Sequence, residues 1–142
     1  MAGGARRAPA GYSGTPLAKK LGIKDGARVA LLSAPPAFRD TLAPLPAGVT
    51  FARGAARPLD LALLFVRTEA ELRSAFPPAA ARLTPSGMLW VAWPKKAAKV
   101  PTDLTEGVVQ RIGLEQGLVD TKVCAIDETW SGLRFVRRLK DR

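Results

Sequence analysis

Short runs of consecutive apolar residues dominate the middle of the chain. They occupy residues 29–32, 61–66 and 88–93. An unbroken apolar run, unlike an alternating one, is typical of a strand that is buried on both faces of a sheet. We therefore predict strands over residues 28–34, 59–66 and 88–93, with a brief further strand over residues 49–51.

Helical patterns separate these strands. A short helix is predicted over residues 16–21, and a longer one over residues 102–116, where apolar residues recur every three or four positions. A third helix is predicted over residues 69–83, because Thr68 and Glu71 have the spacing of a capping box.

Prolines and glycines mark the predicted boundaries. Pro77 and Pro78 fall inside the third helix, and we expect them to break or restart it, because proline lacks an amide donor. Residues 84–87 predict a turn into the strand at 88–93. The chain ends in two predicted strands, residues 118–127 and 133–138, whose short connection favours an antiparallel hairpin.

Strands that alternate with helices indicate a layered α/β architecture. We predict a three-layer sandwich whose mostly parallel sheet of about six strands has the order 2-1-3-4-6-5, with the last strand antiparallel to the rest. Residues 12–142 are predicted to form a single domain, preceded by a flexible basic tail over residues 1–11.

Several segments resemble known proteins. Residues 22–32 read GIKDGARVALL and lead into the first predicted strand, while residues 85–87 lead into a later strand before the closing hairpin. With the order of elements, they resemble a shortened class I S-adenosylmethionine-dependent methyltransferase, which implies a Rossmann-like fold. Residues 11–24 (GYSGTPLAKKLGIK) and 120–138 (DTKVCAIDETWSGLRFVRR) are similar to a small bacterial family of unknown function.

Two departures from the methyltransferase pattern bear on the cofactor. The turn after the first strand, residues 33–37, holds no glycine and carries Pro35 and Pro36, where such folds use glycine to bring the backbone close to a ligand. After the second strand, Arg53 stands where a carboxylate would accept hydrogen bonds from ribose hydroxyls. We therefore expect no cofactor, and S-adenosylmethionine in particular is not expected to bind.

Charge is the strongest feature of the composition. The 142 residues include 22 lysines and arginines against 12 acidic residues, a formal net charge of +10. Such an excess attracts polyanions such as nucleic acid, although it also serves solubility alone. The residues predicted to contact a polyanion are Lys19, Lys20, Lys24, Arg134, Arg137 and Arg138.

A ligand site is predicted at the carboxyl ends of the strands, where ligands of open α/β sheets collect. Its candidate residues are Ser33, Arg67, Trp93, Lys95, Lys96 and Trp130. Solvated loop charges are the alternative for the cations. Trp90 and Trp93 are three positions apart in a strand and should face opposite ways, whereas Trp130 is predicted to be exposed or to fold back as a lid.

The remaining composition argues against familiar catalytic and metal chemistry. Histidine is absent, and the lone cysteine, Cys124, falls in a predicted strand, so we expect no catalytic residue, disulfide or metal site. The longest apolar run is far below the roughly 20 residues of a membrane span, and no export signal is evident, which together favour the cytoplasm.

These observations predict a non-catalytic methyltransferase-like module that binds an anionic ligand or an anionic partner. The alternative that stays open is a divergent small methyltransferase with a non-standard cofactor site. The oligomeric state is not predicted by any of these patterns.

Overall fold

The computed structural model describes residues 15–53 and 58–142, and the predicted basic tail over residues 1–11 lies outside these ranges. Six strands form one sheet: β1 (Arg28–Leu32), β2 (Thr50–Phe51), β3 (Leu59–Phe65), β4 (Leu83–Pro94), β5 (Leu118–Ala125) and β6 (Trp130–Arg137). The helices are α1 (Leu17–Leu21), α2 (Phe38–Leu42), α3 (Glu69–Ala81) and α4 (Glu106–Glu115), with 3-10 turns at Lys96–Ala98 and Leu139–Asp141.

The sheet has the strand order β2-β1-β3-β4-β6-β5. Parallel pairing joins β2 to β1, β1 to β3 and β3 to β4, while β6 runs antiparallel to both β4 and β5. The predicted order and the antiparallel last strand are therefore confirmed. Because β2 and β3 lie on opposite sides of β1, the direction of strand addition reverses at β1.

Two helical layers cover the sheet. Buried side chains of α3 and α4 pack on one face, whereas those of α1 and α2, including Leu21 and Phe38, pack on the other. Successive side chains of β3 pack alternately into the two cores, since Leu61 and Leu63 face α1 and α2 while Ala62 faces α3 and α4. This burial on both faces explains the continuous apolar run that predicted the strand.

Helix α3 is continuous through Pro77 and Pro78, so the prediction of a break there is wrong. Both prolines are exposed, and the carbonyls that they leave unpaired four residues earlier belong to exposed residues as well. Burial of Leu72 and Phe76 holds the helix on the sheet across this point. The predicted capping box is confirmed at Thr68, whose side chain accepts a hydrogen bond of 3.1 Å from the next turn.

Residues 84–87 form a bulge inside β4 and not a turn before it. The pairing with β3 jumps from Leu59 opposite Leu83 to Leu61 opposite Met88, so the intervening residues of β4 leave the ladder. Gly87 permits this geometry, because a Cβ atom there would lie 2.9 Å from the carbonyl oxygen of Leu59.

Helix α4 begins at Glu106 instead of residue 102, with Thr105 as its cap. The residues before it are held in a non-helical path, since the Thr102 hydroxyl donates to the carbonyl of Arg67 at 2.6 Å and accepts from the amide of Leu104 at 3.0 Å. In the part of the chain that the structure describes, no helix is both long enough and apolar enough to cross a membrane.

Candidate functional site

The carboxyl ends of β1, β3 and β4 meet at one edge of the sheet. Ligands of open α/β sheets bind at this edge, in the crevice where strand addition reverses, which here lies between β1 and β3. Strand β6 begins at the same edge, because it is antiparallel and pairs Trp130 with Pro94 at the end of β4.

Three aromatic side chains, which we call the aromatic row, pack across this edge. The ring of Phe38 meets that of Phe65 edge to face at 4.9 Å, and Phe65 meets Trp130 in the same way at 5.0 Å. Each of the three residues is only 4% exposed. The row is therefore part of the buried core on the α1 and α2 face, at the carboxyl ends of β3 and β4.

The loop after β1 places Phe38 in the row. Ser33 and Ala37 both adopt left-handed backbone conformations, with φ of 58° and 63°, which are uncommon for residues other than glycine. The amide of Phe38 donates to the carbonyl of Pro35 at 3.2 Å and closes the loop. The chain thus makes the sharp turn without glycine and directs a large side chain over the edge.

The basic residues predicted for the ligand site lie around the aromatic row. The Arg67 guanidinium is 5.6 Å from the centre of the Trp130 ring, and the amide of Lys95 donates to the carbonyl of Thr129 at 2.7 Å. Lys96 is exposed at the start of a 3-10 turn, and Ser33 is exposed after β1.

The two predicted tryptophans of the site are buried. Trp93 packs in the core beneath α3 and α4 at 5% exposure, and so does not face a ligand at this edge. Of the two alternatives predicted for Trp130, exposure is wrong, because β6 begins at this residue and its buried ring packs against Phe65. Trp90 lies in the other core, as the strand spacing predicted.

The turn before Trp130 uses its acidic side chain structurally. The Asp127 carboxylate accepts hydrogen bonds from the amides of Thr129 and Trp130, both at 2.8 Å. These contacts fix the entry into β6, where the Trp130 ring packs inward against Phe65.

A second feature of this edge escaped the sequence prediction. Beside the aromatic row, two adjoining cavities of about 560 and 370 Å³ open at the carboxyl ends of β1 and β2, and both are lined by Leu31 and Arg39. The Arg39 guanidinium lies 4.0 Å from the centre of the Phe51 ring, and Arg53 lines the smaller cavity. We call this region the β1–β2 cleft. The sequence analysis noted Arg53 in place of a carboxylate, but no pattern in the sequence indicated that Arg39 packs on Phe51.

Cations also gather beside α1. The Lys122 ammonium donates to the carbonyl of Lys20 at 3.2 Å, and the Arg134 guanidinium lies 5.9 Å from the centre of the Trp90 ring. Burial raises the pKa of Cys124, and the positive charges of Lys20, Lys122 and Arg134 partly oppose that rise. These three cations, which we call the α1 basic face, thus surround one thiol.

The other predicted polyanion contacts divide between two faces. Lys19, Lys24 and Arg138 are exposed. Arg137 is half-buried, and its guanidinium donates to the carbonyl of Ala80 at 2.7 Å near the end of α3. The guanidinium of Arg137 therefore packs on the α3 side of the sheet, away from Arg134.

Residues 15–53 and 58–142 contain no group of three or more cysteine, aspartate or glutamate side chains that could hold a metal ion. Among the acidic residues of these ranges, Glu69 and Glu115 form ion pairs with Arg73, both at 2.9 Å.

Comparison with solved structures identifies the fold. The N-methyltransferase NodS from Bradyrhizobium japonicum WM9 superposes with a TM-score of 0.53 at 17% identity, over 84% of this chain and 89% of that one. Precorrin-6y C5,15-methyltransferase from Geobacter metallireducens GS-15 gives 0.57 at 11% identity, over 86% of each chain. Magnesium protoporphyrin IX methyltransferase from Synechocystis PCC 6803, solved with bound S-adenosylmethionine, gives 0.61 at 11%, over 86% of this chain and 74% of that one.

The fold is thus that of the class I S-adenosylmethionine-dependent methyltransferases, which confirms the resemblance seen in the sequence. No family model and no curated protein matches the sequence.

Proposed function

We propose that this chain is a non-catalytic methyltransferase-like module that binds an anionic partner. The observation that carries the proposal is the aromatic row, because Phe38, Phe65 and Trp130 pack together as buried core side chains at the carboxyl edge, where this architecture binds its ligands. A cofactor whose reactive centre must lie there would have to displace buried side chains.

The chemistry of the edge also disfavours S-adenosylmethionine. Pro35 and Pro36 cannot donate backbone hydrogen bonds to a ligand carboxylate, and Arg53 cannot accept hydrogen bonds from ribose hydroxyls. One structural neighbour carries S-adenosylmethionine, so the fold accommodates that molecule in another sequence. The side chains of this chain are what oppose it here.

The proposed partner is a nucleic acid that contacts the α1 basic face. A net charge of +10 raises the local concentration of polyanions, and Lys20, Lys122 and Arg134 place three positive charges close together beside α1. Exposed Lys19 and Lys24 extend the same helix and the turn after it. The cytoplasm is the compartment in which we expect this contact.

Calorimetric titration with S-adenosylmethionine tests the non-catalytic assignment. We expect no saturable binding tighter than about 100 μM, which corresponds to roughly −5.5 kcal/mol. Saturable binding below that value would overturn the assignment and support a divergent methyltransferase. The open β1–β2 cleft is the observation that supports the divergent methyltransferase as a second candidate function.

Salt dependence of binding to a duplex tests the partner. The logarithm of the association constant should fall linearly with the logarithm of salt concentration, with a slope of about 0.9 per phosphate neutralised. A triple variant, Lys20→Gln with Lys122→Gln and Arg134→Gln, should reduce this slope by about 2 to 3. The effect should be similar for different sequences, because phosphate contacts carry no base information.

A control variant with the same change in net charge makes the test specific to the face. Lys99→Gln, Arg111→Gln and Lys140→Gln remove three exposed charges from other elements. We expect this control to keep nearly the full slope. No binding of the wild type at low salt, or equal slopes for the two triple variants, would show that the charge serves solubility and not a partner at this face.

A further inference from the structure

Another cavity, which we call the amino-edge pocket, lies at the amino ends of β1, β3 and β4, at the edge of the sheet opposite the candidate site. Its volume is about 270 Å³, several times the roughly 30 Å³ that one water molecule occupies in the liquid. Pockets for drug-sized ligands begin at roughly 300 Å³, so this one suits a smaller group such as a single planar ring system. Its lining combines apolar side chains, among them Leu61 and Met88, with polar ones.

The turn between α1 and β1 brings Lys24 and Asp25 to one wall of the amino-edge pocket. Two backbone hydrogen bonds fix this turn. The amide of Ala27 donates to the carbonyl of Lys24 at 3.1 Å, and the amide of Gly26 donates to the carbonyl of residue 47 at 2.8 Å. An ammonium group and a carboxylate are thus held side by side at the pocket by a fixed segment of backbone.

Strands β3 and β4 supply the polar groups of the other walls. Asp60 lies at the start of β3, and its Oδ2 accepts a hydrogen bond of 2.8 Å from the amide of Arg28, which fixes the carboxylate beside β1. Thr84 and Ser86 belong to the bulge of β4 and add two hydroxyl groups.

Most polar side chains of the amino-edge pocket are available to a ligand. Within residues 15–53 and 58–142, no hydrogen bond or ion pair engages the side chains of Lys24, Asp25, Thr84 or Ser86. The pocket therefore offers one ammonium donor and two carboxylate acceptors, together with hydroxyl groups that can donate or accept. This set suits a ligand with more hydrogen-bond donors than acceptors, and the two carboxylates repel phosphate.

The amino-edge pocket adjoins the α1 basic face. The Met88 side chain lines the pocket, and its sulfur lies 3.7 Å from Nη1 of Arg134, which belongs to the α1 basic face. Lys20 lies in α1 and Lys24 follows the end of this helix by three residues. A nucleic acid with its phosphates on the α1 basic face therefore passes the pocket.

Among the nucleobases, guanine matches the polar groups of the pocket. Its Watson–Crick edge carries one acceptor, O6, beside two donors, the ring N1–H and the N2 amino group. A carboxylate accepts from both donors in a bidentate arrangement, while a lysine donates to O6. Adenine and cytosine carry only an amino group as donor on this edge, and thymine only a ring N–H. The Watson–Crick edge of a base is free for a protein when the base is unpaired, as in single strands.

We propose that the amino-edge pocket binds an unpaired guanine of a single-stranded nucleic acid whose phosphates lie on the α1 basic face. Asp25 accepts from N1–H and the N2 amino group, Lys24 donates to O6, and Asp60 accepts the second proton of the N2 amino group. The inference rests on the proposed function and deepens it, because it adds recognition of a base to phosphate contacts that carry no base information.

Fluorescence anisotropy with short labelled oligothymidylates tests this proposal. The probes carry guanine, adenine, hypoxanthine or thymine at the central position. The guanine probe should bind at least about fivefold more tightly than the all-thymine probe, the lower end of the discrimination that one bidentate base contact gives. Hypoxanthine, which lacks the N2 amino group, should lose most of this preference. Equal affinity for the guanine probe and any of the other three would overturn the assignment.

Variants locate the site. Asp25→Asn should abolish the preference for guanine without weakening the binding of the all-thymine probe, because it removes a negative charge and an acceptor. Lys24→Gln should reduce the preference by removing the donor to O6. Glu128→Gln is the matched control for Asp25→Asn, since it neutralises an exposed carboxylate in the turn before β6, at the opposite edge of the sheet, and it should keep the preference. Thermal unfolding checks that each variant keeps the fold, and a preference retained by both pocket variants would overturn the proposal.

The same probes separate this inference from the proposed function. Lys122→Gln, a variant of the α1 basic face, should weaken the guanine and all-thymine probes alike and keep their ratio. Binding of all probes with equal affinity overturns the guanine site and leaves the nucleic-acid partner standing. No binding of any probe at low salt contradicts the partner proposed for the α1 basic face, and the guanine site with it.

Discussion

The indole Nε1–H of Trp90 donates a buried hydrogen bond of 2.8 Å to the carbonyl oxygen of Leu21. This bond joins the middle of β4 to the last residue of α1, whose backbone ends in a left-handed Gly22. A five-residue helix has little stability of its own, so contacts with the sheet must hold it in place. The position of the α1 basic face therefore depends on a side chain from the centre of the core.

Replacing Trp90 with phenylalanine should lower the free energy of unfolding by about 1–3 kcal/mol through the orphaned Leu21 carbonyl, with a further loss from the cavity. Chemical denaturation measures the effect. Trp93→Phe is the matched control, since it removes a similar volume from the opposite core without releasing a helix carbonyl. Equal losses in the two variants would mean that the hydrogen bond contributes little.

Two glycines of α4 should respond oppositely to the same change. A Cβ atom at Gly113 would overlap the ring of Phe135, which is fully buried, so Gly113→Ala should destabilise the fold by about 1–3 kcal/mol. At exposed Gly107 a Cβ atom meets nothing closer than 3.9 Å, and Gly107→Ala should stabilise it by up to about 1 kcal/mol. Thermal unfolding of both variants gives the two signs, and a shared sign would contradict the packing described at Phe135.

The cap of α3 should be worth a measurable amount of stability. Thr68→Ala removes the hydroxyl that accepts from the Glu71 amide and should cost about 1 kcal/mol. Thr68→Ser keeps the oxygen and should cost much less. The Glu71 carboxylate also accepts from the amide of Arg67 at 2.7 Å, so the cap fixes the backbone next to the candidate site. Urea unfolding compares the two variants, and indistinguishable midpoints would argue against the capping role.

Cys124 should resist alkylation in the folded protein. Burial raises the pKa of its thiol, so the reactive thiolate forms only at higher pH than in the unfolded chain. The raised pKa stabilises the folded state, and this stabilisation is complete at pH values below the pKa of the thiol in the unfolded chain. It is lost as the pH rises through the higher pKa of the thiol in the folded state. We expect iodoacetamide to react at pH 8 at least tenfold more slowly in buffer than in urea. Similar rates would contradict the buried position.

The strand order and the cap of α3 were predictable because the patterns that indicate them lie within short segments of the chain. An apolar run marks a buried strand wherever its neighbours lie, and Thr68 and Glu71 are close in sequence. The break expected at Pro77 and Pro78 failed for a tertiary reason, since burial of Phe76 outweighs the loss of two backbone hydrogen bonds.

The candidate site was less predictable because its contacts join distant parts of the chain. Trp130 lies in a polar stretch, and only its pairing with Phe65 shows that the ring turns inward. Arg39 and Phe51 come from a short helix and a two-residue strand, neither of which has a strong pattern. Their contact depends on the fold of the intervening segment, which no spacing rule supplies.

The outer strands of the sheet bear on how copies of the chain behave at high concentration. Within the described residues, one outer strand, β2, pairs through only two positions, and the other, β5, is interrupted by a register shift between Asp120 and Lys122. Short, irregular and charged edges are poor templates for the strands of another molecule. Neither edge strand of the sheet favours pairing with another molecule into a cross-β aggregate. A chain that is 47% hydrophobic can thus remain dispersed.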